Sequence, residues 1–114
     1  MRLIKKPWGH EEIWAETDRY CGKILYINSG HRLSLQYHER KVETIRVMSG
    51  KLTLVLQERR DGPIYNKILQ TGESYHVSTG TIHRFWAQDG DVVLVEVSTP
   101  ELDDVVRIED DYKR

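Results

Sequence analysis

The feature that most restricts this chain is the rhythm of its turns. Runs rich in β-branched, aromatic and other apolar residues ("EEIWAET", "GKILYIN", "RLSLQYH", "VETIRVM", "KLTLVLQ", "YNKILQ", "ESYHV", "TIHRFWA" and "DVVLVEVS") alternate with short clusters, "NSG", "SGK", "RRDGP", "TGE", "STG" and "QDGD". Each cluster carries the Gly, Asn, Asp or Pro that a tight reversal needs. Apolar residues at i, i+3, i+4 and i+7 are sustained nowhere, and "PELDDVVRIEDDY" has room for a helical turn or two at most. The pattern predicts an all-β sandwich or barrel. At 114 residues the chain suits one core, and a single domain over 1–114 is the expectation.

Charge removes some function classes. Seventeen Lys and Arg stand against eighteen Asp and Glu, a formal net charge of −1, so the chain as a whole attracts neither nucleic acid nor an anionic membrane, and any anion site must be local. The signs are unevenly spread: residues 1 to 60 hold 12 basic and 7 acidic groups, residues 61 to 114 hold 5 and 11, a polarity that can help the halves pair. The lone Cys21 excludes an internal disulfide framework, and no basic start followed by an apolar run opens the chain. Cytoplasmic residence is expected. No apolar segment approaches the roughly 20 residues that cross a bilayer.

Side chains two apart in a strand share a face. Arg32, Ser34, Gln36 and His38 therefore fall on one side, and Leu33, Leu35 and Tyr37 on the other. Glu43, Ile45 and Val47 lie together in the next strand, and Thr81, His83 and Phe85 in a later one. With those faces turned into a barrel, Gln36, His38, Glu43 and His83 can converge on one point.

Set out with its glycines, the first of these stretches reads Gly30, five residues, Gln36, one residue, His38, four residues, Glu43, six residues, Gly50. A second block reads Gly72, five residues, Ser78, one residue, Gly80, two residues, His83. Together they resemble the paired motifs of the cupin superfamily, G-x5-H-x-H-x3–4-E-x6-G and G-x5-P-x-G-x2-H-x3-N. Gln36 stands for the first His, Ser78 for the Pro and Ala87 for the final Asn. Gln at that position is similar to the branch of cupins related to phosphomannose isomerase. The flanks "KPWGHEEIW", "GHRLSLQYH", "VEVS" and "DDVVRIEDDYKR" are similar to the isomerase domain of the type II, bifunctional isomerase and sugar-nucleotide pyrophosphorylase enzymes. The pyrophosphorylase part, with its Gly-rich nucleotide loop, has no counterpart here, and guanylyl transfer is not expected. Where those enzymes read H-H-H-R-A-E-H-W, this chain reads "HERKVETI". Arg40, Lys41 and Thr44 replace His, Arg and His, so the ligand positions stay while the pocket around them changes.

The resemblance implies a cupin barrel, the double-stranded β-helix, and one divalent ion held by Gln36, His38, Glu43 and His83. Two imidazoles, a carboxylate and an amide oxygen suit zinc first, with Mn, Fe, Co or Ni as alternatives, rather than thiolate-seeking metals. An ion with open positions polarises a sugar carbonyl and acidifies the neighbouring C–H, and the implied activity is aldose–ketose isomerisation of a phosphosugar, mannose 6-phosphate to fructose 6-phosphate. Lys23 and Arg107 match basic family positions and are candidate phosphate anchors. Arg32 is a candidate at the cavity mouth. Glu96, mid-strand in "VVLVEVS", is a candidate base or one half of an ion pair, and His76, just before the second turn, a candidate for proton transfer. Trp86 is a packing residue or a sugar-stacking one. A homodimer is expected, with "KPWGHEEIWAE" at an edge and Trp8 or Trp14 near the contact. Two other readings remain open: a sugar- or metabolite-binding cupin without catalysis, and a non-haem Fe(II) dioxygenase, whose two His and a carboxylate resemble the same donors.

Overall fold

The structure, a computed structural model, describes residues 2–112. Eleven strands form among them: β1 (Arg2–Lys6), β2 (Gly9–Glu16), β3 (Cys21–Ile27), β4 (Leu35–Tyr37), β5 (Glu43–Ser49), β6 (Leu52–Gln57), β7 (Tyr65–Leu69), β8 (Ser74–Val77), β9 (Ile82–Trp86), β10 (Val92–Ser98) and β11 (Val106–Glu109). No helix occurs among the described residues. All strand pairs are antiparallel. They make one sheet in the order β1-β2-β3-β10-β5-β8 and a second in the order β11-β4-β9-β6-β7. β1 and β11 lie outside the nine runs read from the sequence. "RLIKK" and "VRIE" are short and heavily charged, and become strands through pairing with β2 and β4.

The inner faces of the two sheets share one core. Leu25 and Ile27 of β3, Ile45 and Val47 of β5 and Leu94 of β10 meet Leu52, Leu54 and Leu56 of β6 and Phe85 of β9, each side chain contributing about 1.5–3 kcal/mol by leaving water. β6 is buried along its whole length, because its outward Val55 packs with Leu35 and Ile82 in a second cluster. Trp8 belongs to the main core and is 3 % exposed, which removes it from any contact between copies; Trp14 stays 48 % exposed. The segment "KPWGHEEIWAE" is not an edge either. β2 is bonded on both sides, and β1 takes the edge.

Two motif glycines hold the strands that carry the site. Gly50, between β5 and β6, has φ 84°, and a Cβ there would lie 2.3 Å from the Asp91 carbonyl oxygen. Only glycine fits both demands. Gly80, at φ 78°, donates its N–H to the His38 carbonyl at 2.8 Å, tying the turn before His83 to the loop that presents His38.

The approach to β4 contains an irregularity that regular alternation cannot anticipate. Gln36 pairs with His83, whereas Arg32 bridges Trp86. Four steps on one side therefore match three on the other, the signature of an extra, bulged residue. Leu33 and Ser34 consequently both face inward and line one cavity, and the side chain of Arg32 is thrown to the outside. Buried Arg84 braces the bulge by donating its Nε–H to the Leu33 carbonyl at 2.8 Å.

Candidate metal centre and cavity

Gln36 and His83 are partners across β4 and β9, Glu43 opens β5, and His38 follows the last residue of β4. His38 and Glu43 are each 3 % exposed and His83 is fully buried. His38 Nδ1–H donates to the Asp104 carbonyl at 2.6 Å and His83 Nδ1–H to the Thr81 carbonyl at 2.9 Å. With both Nδ1 atoms engaged, each Nε2 presents a lone pair inward. His83 Nε2 lies 3.3 Å and His38 Nε2 3.8 Å from Glu43 Oε1. These three atoms are buried without hydrogen-bond partners, and the donor atoms lie within 4.8 Å of one another. Three such atoms facing one another in a buried site are balanced by a cation, either a divalent ion or a proton carried on an imidazole. Donors about 2.1 Å from one ion sit about 3.0 to 3.4 Å apart at octahedral or tetrahedral angles, so the His83–Glu43 separation of 3.3 Å already fits a divalent metal and the His38–Glu43 separation of 3.8 Å would contract around one. Gln36 lines the same cavity, and its Oε1 accepts from Ser34 Oγ–H at 2.9 Å.

The charges around the centre are interlocked. Lys41 Nζ lies 3.1 Å from Glu43 Oε2 and 3.2 Å from Glu96 Oε2, so Glu43 keeps Oε1 for the imidazoles. Burial opposes charge on Lys41, yet Glu96 and Glu43 outweigh it and push its pKa up. Burial likewise raises Glu96, helped by Glu43 and opposed by Lys41. For Glu43 burial is overcome by the facing imidazoles in their protonated, ion-free form together with Lys41, which hold it well below the usual carboxylate range. Asp104 clamps the loop itself: its carboxylate accepts from the N–H groups of Glu39, Arg40 and Lys41 at 3.1, 2.7 and 2.8 Å. Those bonds, chiefly from Lys41 and Arg40, lower its pKa to about 2.

Residues 1–110 match the family described as mannose-6-phosphate isomerase, C-terminal. The chain belongs to this family. Among curated relatives of this mannose-6-phosphate isomerase C-terminal domain, the mannose-1-phosphate guanylyltransferase of Escherichia coli K12 is 33 % identical over 118 residues, covering 99 % of this chain and 23 % of the relative. The chain thus spans about a quarter of the length of the curated relatives it matches. Among solved structures, the capsular polysaccharide assembling protein CapF of Staphylococcus aureus superposes with a TM-score of 0.83 at 19 % identity, covering 95 % of this chain and 34 % of that one. A conserved protein with a double-stranded β-helix domain from Klebsiella pneumoniae gives 0.71 at 16 % identity, covering 87 % and 83 %. The fold is the all-β cupin barrel that the motifs imply.

In this isomerase-family barrel a cavity of about 250 Å³ opens beside the metal-type donors, lined by Lys23, Gln36, His38, Lys41, Glu43, Glu96 and Arg107 together with Arg2, Lys6 and Glu11. Lys23 and Lys6 share Glu11 at 3.6 and 3.8 Å. Arg107, opposite Gln36 on β11, is exposed at the rim. Two candidates fall elsewhere. The bulge sends Arg32 outward, where it binds Asp111 at 2.6 Å and covers Trp86 at 5.3 Å; Trp86 thereby packs in the outer cluster and not on a ligand. His76 is paired in register with Thr44 on the outer face of β8 and bonds to the Thr44 hydroxyl at 3.2 Å, away from the cavity. Lys41 and Asp104 escaped the sequence reading. Lys41 registered only as a changed family letter in an irregular loop, and Asp104 acts across 63 to 65 positions, with no local signal.

Proposed function

We propose that this chain is a metal-dependent aldose–ketose isomerase acting on a phosphosugar of mannose 6-phosphate type. The observation that carries the reading is the meeting of His38 Nε2, His83 Nε2 and Glu43 Oε1, all buried and unpartnered, beside a cavity walled by lysines and arginines. His38, Glu43 and His83 hold a divalent ion, with Gln36 as a further donor. Such an ion supplies Lewis acidity to the sugar oxygens.

The chain's own residues do the rest. Glu96, buried on the wall with its pKa raised by burial, takes the C2 proton of the aldose and returns it to C1, the hydroxyl proton passing from O2 to O1. Lys41 holds Glu96 and Glu43 apart while pairing with both. Arg107 and Lys23 receive the phosphate at the mouth, where Arg107 has no ion-pair partner among the described residues and Lys23 shares Glu11. A second reading, sugar binding without turnover, draws on the same Lys41–Glu96 contact, because a base already ion-paired at 3.2 Å is less ready to accept a proton.

The test is NMR-monitored interconversion of hexose and pentose phosphates by the zinc-loaded chain, alongside Glu96→Gln. Isomerisation by the wild type, lost in Glu96→Gln while the metal content stays equal, supports the enzyme. Saturable sugar-phosphate binding without interconversion overturns it in favour of the binding module.

A further inference from the structure

The outer face of the six-stranded sheet carries an apolar band with no cover among the described residues. Leu3, Trp14 and Val97 are 64, 48 and 51 % exposed, and half-buried Ile24 and Val95 lie between them. Register fixes the layout. One row runs Leu3, Glu12, Ile24, Val95, Arg46, Ser74 across β1, β2, β3, β10, β5 and β8. The neighbouring row runs Gly22, Val97, Thr44, His76, with the Trp14 ring laid over Gly22, where an added Cβ would come within 2.7 Å of it.

We propose that this face joins two copies of the chain about a two-fold axis parallel to the strands and passing between β3 and β10. That axis sets β3 against the partner's β10 and β2 against the partner's β5, each row facing its own copy. Ile24 then meets Val95, and Glu12 meets Arg46 on either side of the apolar centre. Trp14 meets a hollow lined by Tyr20, Thr44, His76 and Val97. An isologous contact requires this self-complementarity: charge opposes charge and the exposed ring opposes a hollow. Glu12 has no ion pair among the described residues, and Arg46 is steadied only by donating its Nε–H to the Gly72 carbonyl. Within one chain the two lie three strands apart, roughly 14 Å, too far to pair. Six strands about 4.8 Å apart and about six residues long present roughly 600 Å² per copy, and two copies reach the ~1,200 Å² at the lower end of specific interfaces.

Sedimentation equilibrium of the full chain from 1 to 100 µM tests the arrangement. The wild type is expected to dimerise in the micromolar range. Glu12→Arg or Arg46→Glu alone sets like charges together and weakens the dimer at least tenfold. Combining Glu12→Arg with Arg46→Glu restores it to within about threefold, and Trp14→Ala weakens it at least tenfold. Thermal midpoints taken at 1 µM confirm that these exposed substitutions leave the fold intact. A wild type that stays monomeric at 100 µM, single reversals that dimerise like the wild type, or a double reversal no tighter than the singles would each overturn the proposal; a monomer assigns the face to another partner.

Discussion

Each imidazole of the centre is aimed by a main-chain carbonyl, so a residue that never touches the cavity decides how well the donors are placed. Asp104 does this twice, through its carbonyl on His38 Nδ1–H and through its carboxylate on three consecutive N–H groups of the ligand loop. Asp104→Ala is expected to lower zinc affinity 10- to 100-fold, measured by competition with a chelating dye; unchanged affinity would remove Asp104 from a positioning role. Asp111 offers a pH test away from the donors. The Arg32 hydrogen bond, opposed by burial, holds its pKa below the ordinary aspartate value. A depressed folded pKa means stability that is present above the unfolded pKa and fades as pH falls below it through the folded value. Wild type should therefore exceed Asp111→Asn by about 0.5–1 kcal/mol at pH 6, ~2–5 °C in Tm, and the gap should close as pH falls through the folded-state pKa of Asp111. A gap that persists in acid would show that the pair contributes through packing instead.

Elements bring the donors together, and here the sequence was only partly readable. Alternation placed Gln36, His38, Glu43 and His83 inward because β5 and β9 are regular where they carry Glu43 and His83. It misplaced Arg32 because nothing in "GHRLSLQYH" announces the bulge, which depends on pairing with a strand 47 to 54 positions away. Lys41 and Asp104 belong to loops, where the period of two has no meaning. The same bulge predicts what Arg84 is for. Arg84→Met keeps most of the volume but leaves the Leu33 carbonyl and Glu109 without their donor, and should cost about 1–3 kcal/mol by urea denaturation. It should also loosen zinc, since Ser34 and Gln36 follow directly on the bulge. A variant as stable as the wild type would show that water satisfies the Leu33 carbonyl.

The uneven charge of the two halves of the chain is put to use at the level of the whole molecule. Lys41 with Glu96, Lys51 with Asp89 and Arg32 with Asp111 each join a base from the first half to an acid from the second. The donor set crosses the barrel in the same way. His38 and His83 adjoin or lie in the five-stranded sheet and Glu43 lies in the six-stranded one, so an ion held by all three fastens the sheets together, and metal binding becomes barrel stability. An ion that binds the folded chain alone, at a free concentration 100 times its Kd, adds about 2.7 kcal/mol, and for a chain of this size that raises Tm by roughly 10 °C. The rise should vanish on chelation and in His83→Ala, whose apo form then melts independently of zinc. Because His83 is fully buried, His83→Ala also loses stability on its own, so the decisive comparison is the zinc-induced increment within each protein and not the absolute midpoint. A wild type whose Tm ignores zinc, manganese, iron, cobalt and nickel alike would show that the three acceptors are satisfied by a proton and would take the metal out of the proposed chemistry.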